Sequence, residues 1–154
     1  MQTSRVPAAV DALLEILRAA PGLAEVLILD GPTSVNFTSR HRLYVGWQPG
    51  DAMAVTLTQD FNAAGARTRD ENFSIGCYAE SRAGDKDMAI VRNRVFDTVG
   101  EVEIALRATN VLPEAPTLLG TVLWAHLATG DLTQATESGS LAGLAFTVTC
   151  RARI

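Results

Sequence analysis

Leu144-Ala145-Phe146-Thr147-Val148-Thr149-Cys150-Arg151-Ala152-Arg153-Ile154 is the segment on which the fold turns. Leu144, Phe146, Val148, Cys150, Ala152 and Ile154 share one face, while Ala145, Thr147, Thr149, Arg151 and Arg153 share the other. Such period-two alternation marks a half-buried strand. A strand at a chain end frays unless docked, so the pattern predicts a sheet elsewhere for it to join.

The residues upstream supply that sheet. Val6, Val10, Leu13, Leu14 and Leu17 recur at three- and four-residue steps behind Ser4 and Pro7, which predicts an amphipathic helix over 6–19, stopped by Pro21-Gly22. Val26 to Leu29 reads as a short strand, and Thr33 to His41 as a surface loop. Arg42–Trp47 and Met53–Thr58 read as two strands joined in a hairpin at Pro49-Gly50-Asp51. Phe73, Ile75, Cys77 and Ala79 alternate within Arg67–Ala79, whose early part, Arg67-Thr68-Arg69-Asp70-Glu71, is too charged for a core and is expected beyond the sheet or at an edge or interface. Met88, Val91, Val95, Val99, Val102 and Leu106 predict the longest helix, with Asp85 and Asp87 at its start and its close near Asn110. Leu118–Ala128 and Leu132–Thr136 are further strand segments, broken at Gly130-Asp131 by a bulge or tight turn. Short links between strands imply largely antiparallel pairing. The expected fold class is therefore α+β, a mostly antiparallel, mixed sheet with two main helices packed on it, in one domain over 1–154.

Composition narrows the function classes. With 47% hydrophobic and 19% charged residues in 154, the chain is that of an ordinary globular domain. A net charge of -4 does not supply the clustered Lys and Arg of a dedicated nucleic-acid binder. Lys86 is the only lysine, against twelve arginines, as a GC-rich coding bias produces. Cys77 and Cys150 fall on apolar strand faces at no metal or redox spacing; they are expected as reduced core thiols, with a disulfide between neighbouring strands as the alternative. There is no basic segment followed by an apolar run and no apolar stretch of membrane-spanning length, so a soluble protein made inside a cell, with no membrane partner, is expected.

No reaction centre is expected, and no cofactor or metal. His41 and His126 have no Cys or carboxylate partners at ligand spacing. Asp70-Glu71, Asp85/Asp87 and Glu101/Glu103 are carboxylate pairs, but the second serves a helix start and the third a solvated helix face. No Gly-x-Ser-x-Gly elbow or Walker loop occurs, and Gly139-Ser140-Leu141-Ala142-Gly143 reads as a turn. Aromatic and charged residues in the N-terminal half are the better candidates. Phe37, Trp47 and Phe61 in or beside loops either plug the core ends or anchor a subunit contact. Arg40 flanks the second strand, and Arg67, Arg69, Asp70 and Glu71 form a strip of both signs that suits a salt-bridged contact or a solvated edge.

In order, Leu43-Tyr44-Val45-Gly46-Trp47, then Gly65 to Cys77, a long helix, Val122-Leu123-Trp124-Ala125, Leu132-Thr133-Gln134 and Phe146 to Arg153 form a set. This set resembles the tail terminator or tail-completion proteins of long-tailed, siphovirus-type phages of actinobacteria and of related prophages. The resemblance spans most of the chain and rests on structural segments. It implies a small α+β subunit forming a ring, commonly a hexamer, on the head-proximal end of the tail tube, where it stops tube polymerisation and meets the neck. The implied partners are further copies of the chain, the tail tube protein and a neck or head-completion protein, in the virion and, during assembly, the host cytoplasm. The family has no catalytic residues to carry over. An acidic balance suits a lumen through which genomic DNA passes without specific binding. A head-closure, connector or minor tail subunit is the nearby alternative, and a ligand-binding domain with Trp124 and His126 lining a pocket is the distant one.

Overall fold

The computed structural model describes residues 2–34, 38–65, 67–85, 87–108, 116–136 and 139–154. Helix α1 spans Val6–Ala19 and is followed by a short 3-10 turn, Pro21–Leu23; helix α2 spans Met88–Ala108. The strands are β1 Leu27–Asp30, β2 His41–Val45, β3 Val55–Phe61, β4 Arg69–Ala83, β5 Trp124–Thr136 and β6 Ser140–Arg153. They form one sheet in the order β1-β2-β4-β6-β5, with β3 also on β4. All pairings are antiparallel except β1 with β2. This is the expected α+β class.

The terminal strand is the sheet's second spine. It pairs with β4 from Asp70↔Arg153 to Ala83↔Ser140, and the alternation read from the sequence sorts its faces. Leu144, Phe146, Val148, Cys150 and Ala152 join Phe73, Ile75, Cys77 and Ala79 of β4 in one core with Leu13 and Leu17 of α1 and Val91, Val95 and Val102 of α2. Both helices thus cover one sheet face, because that face carries the contiguous apolar area worth burying.

Both helices begin as their sequences indicate. Ser4 Oγ accepts the Val6 N–H at 3.0 Å, and Ala20 turns extended before Pro21. Asp87 Oδ1 accepts the Ala89 N–H at 3.1 Å, and Asp85 Oδ1 accepts the Asp87 N–H at 3.1 Å, which satisfies donors that the first helical turn leaves without partners. The expected end of α2 near Asn110 lies outside the described residues.

Four sequence expectations are corrected. Ser140 to Gly143, read as part of a turn, are the first residues of β6 and pair with both β4 and β5. β2 and β3 do not form a hairpin, since both run antiparallel to β4 along the same side. Val45 pairs with Cys77 and Val55 with Ile75, so residues 46–54 form a loop opposite the single residue Gly76, within one interrupted strand. Only the start of the charged segment, Arg67 and Thr68, lies beyond the sheet: Asp70 and Glu71 are ladder residues between β3 and β6, and both are buried. Residues 118–121 are a turn rather than strand. There Leu118, Leu119 and Gly120 have φ of 47°, 59° and 80°, a conformation that costs L residues about 1–2 kcal/mol each. Full burial of Leu118 and the Thr121 N–H bond to its carbonyl at 3.2 Å hold it. β5 then runs unbroken to Thr136, and the Gly130 interruption is a one-residue register shift between Ala128 and Gly130.

Candidate assembly interface

The loop that interrupts the β2/β3 strand is fastened at Gly76. Gly46 and Trp47 both donate to the Gly76 carbonyl, at 2.7 and 3.1 Å, and Gly76 donates to the Ala54 carbonyl at 2.8 Å. A side chain at residue 76 would lie 3.1 Å from the Met53 carbonyl oxygen, so glycine is what lets the loop close down on the strand. Gln48 reaches further, donating to the carbonyls of Cys77 and Phe146 at 3.2 and 2.7 Å. Trp47 consequently lies on the helix-free sheet face, tilted on Tyr44 at 4.7 Å and edge-on to Tyr78 at 5.8 Å. Burial pushes the Tyr78 hydroxyl pKa up. Trp47 thus caps an intramolecular aromatic cluster whose tyrosines the sequence did not single out; their even spacing with Glu80 and Ser74 was the available signal.

The mixed-charge strip divides by face. Asp70 points to the helix-free face, where Arg153 Nε lies 2.8 Å from Oδ1 and Arg151 Nη2 lies 3.0 Å from Oδ2. Hydrogen bonds from Arg153 and then Arg151 hold its carboxyl below the usual range and raise the Arg153 pKa in turn. Glu71 points beneath α1, fully buried, accepting the Arg5 N–H at 2.8 Å and the Gln59 amide at 2.6 Å. Arg69 ties its backbone to Ile154 in both directions, at 3.1 and 2.9 Å. Asp70 and Glu71 therefore have structural partners within the chain, supplied by residues far away in sequence.

The remaining candidates are exposed. Phe61, 70% exposed, ends β3 opposite Arg69, with Arg67 on the surface of the connecting turn. Met53 and Leu57 continue this exposed line at 71% and 45%. The structure thus gathers Phe61, Arg67, Arg69, Asp70 and Glu71 at one end of the β3/β4 pair. Arg40 is exposed at the far end of the sheet, where its carbonyl accepts the Arg82 N–H at 2.9 Å. Phe37 lies outside the described residues.

His41 Nδ1 lies 3.1 Å from Ser81 Oγ, and burial, then nearby Arg94, lower its pKa. Trp124 and His126 stack on one another at 5.1 Å on the helix-free face. An apolar cleft of about 320 Å³ runs between Ile16 and Ala19 of α1 and Ile104 of α2. Among the described residues no His, Cys, Asp and Glu cluster suits a metal ion, and no helix is long and apolar enough to cross a membrane.

The chain is similar to one in the structure titled virion of native gene transfer agent (GTA) particle. Its TM-score is 0.63 at 12% identity, covering 99% of this chain and 100% of that one. At this identity the likeness shows a shared fold, end to end and without a large insertion in either chain. No protein-family model matches the sequence, and no curated protein does.

Proposed function

We propose that the chain is a structural virion subunit which closes into a ring, of hexameric type, on the head-proximal end of a phage tail tube. There it stops tube polymerisation and joins the tail to the neck. The observation that carries this reading is the end-to-end likeness to a chain of a gene transfer agent virion. The work is geometric and needs no reaction centre or cofactor: copies bind one another and the tube protein below, the neck protein binds above, and DNA passes through the lumen without specific contacts. Exposed Met53, Leu57 and Phe61 along one sheet margin support self-association, since apolar side chains left in water at a strand edge are stabilised by a neighbour.

The test is to remove the gene product from an assembling particle and to image gold-labelled protein in the complete one. Tails of uncontrolled length without it, and label at the head-proximal tail end, are the expected results. Tails of normal length in its absence sink the terminator role, and label confined to the head vertex assigns the chain to a head-closure subunit instead.

A further inference from the structure

β3 and β5 are the two margins of the strand run β3-β4-β6-β5, and among the described residues no strand pairs the outer side of either. Natural edges are usually guarded by Lys, Pro or very short length, because an open row of N–H and C=O groups pairs with another chain. β3 has seven residues with no Lys or Pro. In β5 the start is closed by the chain itself, through the Ala125 N–H bond to the Pro116 carbonyl at 2.8 Å. Beyond it Asp131 to Thr136 are all exposed and likewise contain no Lys or Pro.

The ladder fixes which groups point outward. Ala125 donates outward, so after the one-residue shift at Ala128/Gly130 the outward donors are Leu132, Gln134 and Thr136. On β3, Gly76 of β4 donates toward the loop, so Thr56, Thr58 and Asp60 bond inward and Val55, Leu57, Gln59 and Phe61 face out. Side chains match as well. Leu57 pairs with Phe73 and Leu132 with Leu144, so both belong to the helix-bearing face, where they stand 45% and 38% exposed at opposite margins.

We propose that β5 of one copy pairs antiparallel with β3 of the next, bringing Leu132 of one copy beside Leu57 and Phe61 of the other and continuing the sheet and its apolar face across the joint. β3 and β5 run in opposite directions within the sheet, and a rotation about an axis near the strand direction preserves those directions. The contact joins two different surfaces, so repetition gives a closed ring or a filament rather than a two-fold dimer. This deepens the ring reading above and rests on it.

The test uses Leu57→Pro and Gln134→Pro, each of which deletes one outward donor while leaving the internal ladder intact. Sedimentation velocity reads assembly, and circular dichroism reads folding. Each variant alone is expected to be monomeric, and an equimolar mixture to give a one-to-one dimer that grows no further, since one good β3 edge meets one good β5 edge. Where a proline variant loses its fold, Leu57→Lys and Leu132→Lys place charges on the same joint. Variants that assemble as the wild type does, or a single variant that dimerises with itself, overturn the strand pairing and leave the ring reading standing. A wild-type chain that stays monomeric at high concentration and on purified tail tubes overturns both.

Discussion

The Glu71 carboxylate accepts the backbone N–H of Arg5 at 2.8 Å, joining the entry to α1 with a sheet residue 66 positions along the chain. The same carboxylate takes the Gln59 amide at 2.6 Å, so one fully buried side chain fastens α1, β3 and β4 together. Glu71→Ala leaves the Arg5 N–H without its acceptor, while the Gln59 amide keeps the Thr3 carbonyl at 2.8 Å, and is expected to cost about 1–3 kcal/mol in chemical denaturation, because a donor sheltered from water and left unsatisfied loses its full hydration. Glu71→Gln keeps an acceptor and is expected to lose less. Equal stability of wild type and Glu71→Ala would show that water or another group replaces the acceptor.

Asp70 sets an acid limit. Its folded pKa lies below its unfolded one through Arg153 and Arg151. The stability it contributes is therefore fully present above the unfolded value and is lost as pH falls through the folded value. Denaturation midpoints of the wild type should decline below about pH 4, and Asp70→Asn should flatten that decline while lowering the midpoint at neutral pH. An unchanged acid slope in the variant would mean that other carboxylates carry the transition.

These two residues also show where the sequence stops being legible. Local periodicity identified α1, α2 and β6, because their apolar spacings are set by the packing each element must make. The charged run at 67–71 reads from sequence as too polar for a sheet interior because the partners of Asp70 and Glu71, among them Arg5, Arg151 and Arg153, are remote in sequence and no local rule reports them. The false hairpin at Pro49-Gly50-Asp51 has a similar origin. Turn chemistry marks a change of direction, but only the register around Gly76 reveals that β3 continues β2 along β4. Of the candidate surface, Phe61 was left between plugging the core end and anchoring a contact, and its 70% exposure removes the first; the matched margins β3 and β5 required the strand order.

Gly143 keeps room for Tyr78. A methyl group at residue 143 would overlap the Tyr78 ring and hydroxyl, which lie against Tyr44 and Trp47 on the same face. Gly143→Ala is expected to destabilise the fold by about 1–3 kcal/mol through overpacking and to change the near-ultraviolet circular dichroism as the ring is displaced. A variant with wild-type stability and spectrum would show that the tyrosine swings aside without cost.

Cys77 and Cys150 occupy neighbouring strands yet do not meet, for the register puts Cys77 opposite Phe146 and Cys150 opposite Phe73. Both are free and buried. Burial pushes each thiol to a pKa of about 12, so thiolate is scarce at neutral pH, and the thiolate is the reacting form. In the folded protein both are expected to resist alkylation by iodoacetamide at neutral pH, and both to react once denaturant is added, as mass spectrometry would count. Rapid modification of either thiol without denaturant would require β4 and β6 to separate in the native state, which the continuous ladder from Asp70↔Arg153 to Ala83↔Ser140 opposes.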